Sequence, residues 1–349
     1  MEMSFRWYGM DDPVTLDKIK QIPGMTGIVS AIYDIPVGDV WPYERIMELK
    51  TIIEESGFKL SIIESVPVHE DIKMGLDNRD KWIKNYQETI RNLSKAGINK
   101  VCYNFMPVFD WTRSQLDAPL ADGSNSLLYD EEKVKNIDPL SGELTLPGWD
   151  ISYQASELRN IIDAYQDISE KKLMENLIYF LQEVIPVAEE EDVYLAIHPD
   201  DPPWSIFGLP RVVKDKESVE YILETVHSIH NGITFCTGSY GANPENNLLD
   251  IIEVAKNRIH FVHARNIKWI GKKSFQETSH LARDGSIDMV GVISKLIEIG
   301  FHGPIRPDHG RMIWGEEGRP GYGLYDRALG VTYLNGIIDT VKYRQEGNK

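Results

Sequence analysis

The chain has 349 residues, 42% of them hydrophobic and 26% charged, a composition that excludes wholesale disorder and supplies a large core. With 37 Lys and Arg against 54 Asp and Glu, the formal net charge is −17, which excludes a general nucleic-acid binder and disfavours docking on anionic membranes. No apolar run is long enough to span a membrane, the opening MEMSFRWYGMDD lacks the basic and apolar regions of a secretory signal, and two cysteines make no disulfide framework, so a reducing cytoplasm is the expected setting.

Short β-branched or aromatic runs bounded by Gly, Pro or Asp alternate with amphipathic stretches along the whole chain. In order, the pattern predicts a strand over Phe5–Gly9, a helix over Thr15–Gln21, a strand over Ile28–Tyr33 and a helix over Tyr43–Ser56. A strand over Leu60–Ser65 follows. The helix over Arg79–Ala96 comes next, with Trp82, Ile83, Tyr86, Ile90 and Leu93 at helical spacing, and then a strand over Lys100–Phe105. Beyond residues 107–169 the alternation resumes with a helix over Glu170–Glu189 and a strand over Val193–His198. Helix Glu217–Ser228, strand Gly232–Thr237, helix Asn246–Lys256 and strand Ile259–Arg265 continue it. Helix Ile287–Ile299, strand Pro304–Asp308 and helix Tyr325–Tyr343 complete the series. Gly57, Gly97 and Gly300 each follow a helical stretch, where a C-terminal glycine belongs.

Eight strands alternating with eight helices read as an α/β fold, a (β/α)8 TIM barrel spanning 1–349 as a single domain. A doubly wound open sheet is the alternative, but no Gly-x-Gly-x-x-Gly follows an early strand. Residues 107–169, between the fourth strand and the fourth helix, form a long insertion. Its Phe109, Trp111, Tyr129, Trp149 and Tyr153 argue for an ordered loop or subdomain, a lid or a dimer contact.

Barrel chemistry sits where strands end. The fifth to eighth strands end on His198, Cys236, His263 and Asp308, spaced by 38, 27 and 45 residues, one βα unit each time. Any one of them alone is read as a packed or hydrogen-bonded core residue. Together, pointing inward from one rim, they form a ligand set for a divalent transition metal, and the thiolate favours Zn²⁺ or Fe²⁺ over Mg²⁺. Glu64 and Asn104 close the third and fourth strands, and Arg6, Trp7 and Tyr8 sit on the first. Arg265, Lys268, Arg306, Arg311 and Arg319 gather around the last two strand ends. In so acidic a chain this points to an anionic ligand, a carboxylate, with ordinary surface salt bridging as the alternative. Cys102 lies inside the fourth strand and reads as core packing.

Several of these stretches resemble mannonate dehydratases: Phe5-Arg6-Trp7-Tyr8-Gly9, Glu64-Ser65-Val66-Pro67-Val68-His69-Glu70-Asp71-Ile72-Lys73, and Tyr103-Asn104-Phe105-Met106-Pro107. Further along come His198-Pro199-Asp200-Asp201-Pro202-Pro203, Phe235-Cys236-Thr237-Gly238-Ser239, His263-Ala264-Arg265-Asn266, Arg306-Pro307-Asp308-His309-Gly310 and Pro320-Gly321-Tyr322. The resemblance covers nearly the whole chain. It implies a xylose isomerase-like barrel and a Mn²⁺-dependent dehydration, with Fe²⁺ in some relatives, of the sugar acid D-mannonate to 2-keto-3-deoxy-D-gluconate in hexuronate breakdown. It implies the same four metal ligands, a homodimer, and an acid/base pair carried to His309 and Tyr322, with Tyr325 as the alternative tyrosine.

In such a reaction one group takes the proton next to the carboxylate and another protonates the departing hydroxyl. Which is which stays open. Tyr322 would serve as the acid if the metal and nearby arginines lowered its pKa. Arg265 and Arg311 are candidates to hold the carboxylate, and Asn104 and Glu64 to bind sugar hydroxyls. The competing readings are a metal-dependent sugar isomerase or epimerase on the same barrel and a metal-stabilised sugar-acid binding protein. A thiolate ligand and an arginine-rich last turn favour the acid substrate over the isomerase.

Overall fold

Eight parallel strands close on themselves in the computed structural model, which describes residues 1–137 and 155–347. In chain order the strands are β1 (Glu2–Arg6), β2 (Gly27–Ser30), β3 (Lys59–Glu64), β4 (Lys100–Tyr103), β5 (Gln115–Pro119), β6 (Asn125–Tyr129), β7 (Tyr194–Ile197), β8 (Asn231–Cys236), β9 (Ile259–Ala264), β10 (Ile267–Gly271), β11 (Ser274–Glu277) and β12 (Pro304–Pro307). The barrel runs β1-β2-β3-β4-β7-β8-β9-β12 and closes from β12 back to β1 through Glu2↔Pro304 and Met3↔Ile305. All eight predicted barrel strands are present, and Cys102 is core as expected.

The strands read as apolar runs because both faces are covered, the outer by helices and the inner by the barrel's own filling. Every residue of β8 and β9 is buried. Inside, Val29, Ile62, Cys102 and Phe261 make a small apolar layer separate from the main core. The helices pack outside by their apolar stripes. The helix Arg79–Lys95 buries Ile83, Tyr86, Thr89, Ile90 and Leu93, the spacing that marks it in the sequence. Gly57 and Gly97 follow such helices with φ of +85° and +73°, a left-handed turn that glycine enters without a Cβ clash.

Two hairpins escape the sequence pattern. β10–β11 follows the seventh barrel strand, β5–β6 lies in the insertion, and the four form one sheet in the order β10-β11-β6-β5. Phe275 pairs with Tyr129 across it, and their rings stack at 5.5 Å. Trp204 packs edge-on against Tyr129 and donates from its indole N–H to the phenol oxygen at 3.1 Å. The described part of the insertion is thus sewn to the loop after β9. Trp149 and Tyr153 lie outside the described residues.

The inner layer also supports the rim above it. Phe261 meets His263 edge-on at 4.5 Å. Phe261→Ala removes a buried ring from a site that cannot collapse, and unfolding free energy in a denaturant titration falls by about 3–4 kcal/mol. A loss below about 1 kcal/mol would show that the inner layer does not hold the barrel.

Candidate metal centre and active site

The parallel register fixes the first part of the site. Cys236 ends β8 beside His263 on β9, and His263 stands beside Arg306 on β12. His198 follows β7, its backbone N–H still bonded to the Tyr103 carbonyl at 2.7 Å. Ligand atoms of His198, Cys236 and His263 all lie within 4.8 Å of one another.

Hydrogen bonds define which imidazole nitrogen is bare. His198 Nδ1 lies 2.7 Å from the Pro199 carbonyl, which can only accept, so Nδ1 carries the proton and Nε2 does not. His263 Nε2 lies 3.3 Å from a Glu64 carboxylate oxygen. His198 Nε2 and His263 Nδ1 face each other at 3.1 Å, close enough for both to turn a lone pair on one cation. The Cys236 sulfur accepts from the Ser239 backbone N–H at 3.4 Å and from its hydroxyl at 3.1 Å, which aims the sulfur at the same point.

Asp308 stands at the edge of this group. Its Oδ2 is 3.9 Å from Cys236 Sγ and 3.8 Å from His263 Nδ1, while its Oδ1 pairs with Arg306 at 2.7 Å. Two imidazoles, a thiol and a carboxylate fit a borderline divalent cation. Burial pushes the His198 imidazole down, keeping it neutral as a ligand must be. Burial alone would raise Asp308 and Glu64, but the surrounding cations, Arg306 foremost in both, hold each well below the usual carboxylate range.

The second part of the site is His309. The β9–β12 ladder extends one residue, through the Asp308 N–H on the Ala264 carbonyl at 3.1 Å, and then turns. Gly310 donates to the Gly321 carbonyl at 2.9 Å, which brings the Pro320-Gly321-Tyr322 turn against His309. His309 Nε2 and the Tyr322 hydroxyl are 2.7 Å apart. His309 Nδ1 lies 2.9 Å from Glu277 Oε1, and Trp111 of the insertion covers the ring at 4.6 Å. Tyr325 is 42% exposed and packs on Trp314, so the tyrosine at His309 is Tyr322. Burial, with Tyr8 and Asp308 adding to it, pushes this phenol well above its ordinary value, so it is neutral and can donate.

These groups open onto a cavity of about 310 Å³, which His198, His263, Asp308, His309 and Tyr322 all line. Glu64 and Asn104 line it too. Glu64, however, is engaged by Arg6 at 3.2 Å and Arg306 at 3.1 Å. The two predicted carboxylate holders do not reach the cavity. Arg265 is fully buried and tied to Asp201 at 2.7 Å, Glu277 at 3.1 Å and Ser239 at 3.0 Å. Arg311 pairs with Asp326 at 2.7 Å and Asp122 at 2.6 Å. Sequence position places a cation near a strand end but does not say which acid consumes it. The cations that line the cavity are Arg6, Lys73, Arg306 and Arg319. Of these, Arg319 has no carboxylate partner among the described residues and lies over the Tyr8 ring at 4.1 Å. Trp111 and Glu277 are the site residues that sequence reasoning missed as such. Glu277 gives no signal, because its contact with His309 depends on the unpredicted hairpin.

The sequence model of the D-mannonate dehydratase (UxuA) family matches residues 1–348. A mannonate dehydratase from Streptococcus uberis is 60% identical over 343 residues, covering 98% of this chain and 99% of that protein. Mannonate dehydratase 2 from Halalkalibacterium halodurans is 58% identical over the same length and the same shares. The crystal structure of mannonate dehydratase from Streptococcus suis serotype 2 superposes with a TM-score of 0.93 at 52% identity, covering 99% of this chain and 96% of that one. By the family match over its length and by these relatives, the chain belongs to the D-mannonate dehydratase family.

Proposed function

We propose that the chain removes water from D-mannonate to give 2-keto-3-deoxy-D-gluconate. The observation that carries this reading is one cavity wall holding both a transition-metal ligand set and a hydrogen-bonded His309–Tyr322 pair. His198, Cys236, His263 and Asp308 would hold the ion, Mn²⁺ or Fe²⁺. The ion supplies Lewis-acid charge that makes the carbon next to a carboxylate acidic.

The chain's own residues do the proton work. Burial keeps the Tyr322 phenol protonated, and in this reading His309 Nε2, 2.7 Å from its hydroxyl, serves as the base. The C2–H bond breaks with its proton going to His309, and the C3–O bond breaks as Tyr322 protonates the departing hydroxyl to water. The enol that remains gains a proton at C3 and gives up its C2 hydroxyl proton to water, becoming the 2-keto acid. Transfer across the 2.7 Å His309–Tyr322 bond then resets both groups. Arg319, with Arg306 beside it, replaces Arg265 and Arg311 as the holder of the substrate carboxylate. Asn104 is placed to meet sugar hydroxyls at the cavity wall. Trp111 shields the reacting face from water. The chain is proposed to work in a reducing cytoplasm, where its two free cysteines, one of them a ligand, stay thiols, and as a homodimer. Sedimentation at a mass of one 39.9 kDa chain would sink the dimer.

Stripping with chelator abolishes 2-keto acid formation from D-mannonate, and Mn²⁺ or Fe²⁺ under reducing conditions restores it. Turnover by protein shown to be metal-free would remove the metal from the reaction. Cys236→Ser lowers the metal bound per chain, read by elemental analysis. His309→Asn and Tyr322→Phe each lower kcat by at least ~100-fold while metal content stays at the wild-type level. Turnover within a few-fold of wild type would take that residue out of catalysis.

A further inference from the structure

Strand order decides which sides of the cavity face each other. In the ring β1-β2-β3-β4-β7-β8-β9-β12, β3 and β4 stand across the barrel from β9 and β12. His263, Asp308 and His309 therefore occupy one side of the mouth, and the loops after β3 and β4 occupy the other. From that other side Glu70, Lys73, Asn104 and Asp110 line the same cavity. The reaction as written uses neither Lys73 nor Asp110.

Lys73 is 5% exposed and Glu70 7%. Lys73 Nζ donates to Glu70 Oε1 at 2.6 Å and to the Met106 carbonyl at 2.7 Å, so two of its three N–H groups are taken. Glu70 also accepts from the Tyr165 hydroxyl and from the Val108 N–H at 3.3 Å. Val108 has a φ of +59°, a left-handed conformation that a β-branched residue keeps only where its surroundings impose it. The buried ion pair thus grips the loop at Met106 and Val108 and delivers Asp110 to the mouth just beyond. Asn104 is oriented by the same loop. Its Oδ1 accepts from the Met106 N–H at 3.1 Å, which leaves its amide NH₂ for Asp110, its hydrogen-bond partner. Burial pushes the Asp110 carboxyl up, and Lys73 is the first of the charges that oppose it, so the ammonium acts directly on that carboxyl.

An apolar plug of the same volume would hold this loop as well as a buried ion pair does. What it could not offer is a wall with N–H donors and a carboxylate acceptor side by side. A hydroxyl both donates and accepts, and two adjacent hydroxyls match such a wall. We infer that Lys73, Asn104 and Asp110 form a subsite for the hydroxyl tail of an acid substrate, across the mouth from the candidate metal ligands, and that Asp110 makes the enzyme select six-carbon acids over shorter ones. The inference rests on the sugar-acid substrate proposed above and names what reads its far end. A substrate without the tail leaves the third Lys73 N–H and the Asp110 oxygens short of a partner, which is how a polar site rejects an analogue that lacks a hydroxyl.

The test compares D-mannonate with L-erythronate, which keeps the configuration of D-mannonate at C2 and C3 and lacks C5 and C6. Both are given to the full-length protein loaded with Mn²⁺, and L-erythronate is measured as a competitive inhibitor where it is not turned over. The wild type is expected to favour D-mannonate by at least ~10-fold. Asp110→Ala is expected to lower kcat/KM for D-mannonate by at least ~10-fold, to leave the KM or Ki of L-erythronate within about threefold, and to keep wild-type metal content. Asp110→Asn, which keeps one acceptor oxygen in place, is expected to lose less than Asp110→Ala. A smaller loss on D-mannonate in Asp110→Ala would overturn the subsite. So would a loss shared by L-erythronate, which would put Asp110 at the reacting end or in the scaffold, and so would Asp110→Asn no better than Asp110→Ala. If Asp110→Ala fails to fold, the preference of the wild type decides, and a preference below ~10-fold overturns the subsite. If the wild type shows no turnover of D-mannonate, the dehydration reading falls, and the same comparison of the two acids by calorimetric binding still decides the subsite.

Discussion

The 3.1 Å approach of His198 Nε2 to His263 Nδ1 is the constraint around which the rim is arranged. Neither ring can escape. His198 is held by the Pro199 carbonyl, and His263 by the pairing of β9 with β8 and β12 and by Phe261 beneath it. Two imidazole nitrogens fixed this close are preorganised for a cation, since neither has to move on binding. The Ser239 donors on Cys236 and the Glu64 contact on His263 extend this arrangement outward.

A second, all-organic arrangement adjoins it through Asp308 and His309, which are neighbours in sequence but serve different partners. Asp308 turns to Arg306 and the cysteine, and His309 turns to Tyr322 and Glu277. The turn at Gly310 is what lets consecutive residues face the same cavity, because on a continuing strand they would point to opposite faces. The barrel supplies the metal side from its own strand ends. The acid/base side needs material from outside the barrel: the Pro320-Gly321-Tyr322 turn, the β10–β11 hairpin and the insertion. That division explains why so long an insertion is ordered where it meets the rim.

The same division separates what the sequence tells from what it hides. Barrel strands are legible because they are apolar on both faces and bounded by Gly, Pro or Asp. Their C-terminal ends must share one rim, so His198, Cys236, His263 and Asp308 can be gathered without coordinates. The β5–β6 and β10–β11 hairpins are not legible. Their strands are four or five residues long, β10 exposes Lys268, Trp269, Ile270 and Gly271 in succession, and their central pairing joins segments far apart in the chain. Glu277 is therefore invisible as a site residue. Side-chain direction is equally hidden. Arg265 and Arg311 lie where a carboxylate holder was expected, yet Asp201, Glu277, Asp326 and Asp122 consume them. For Tyr322 the nearby arginines are visible in the sequence, while the burial that raises its phenol is not.

The net charge of −17 is compatible with an anionic substrate for a reason of length scale. Exposed charges are screened beyond about 8 Å in physiological salt, so the acidic surface contributes little at the bottom of a barrel mouth. Within the cavity, Arg6 and Arg306 share Glu64 and Asp308 between them, leaving the inner wall close to neutral. Arg319 adds a positive charge at the entrance with no acid to cancel it among the described residues, and it rests on the face of Tyr8. The local field therefore favours an anion entering past Arg319 and stopping where the candidate metal ligands and His309 converge. A neutral sugar would gain nothing from that charge. On this argument an acid substrate is preferred over an aldose or ketose of the same size before any hydroxyl contact is made.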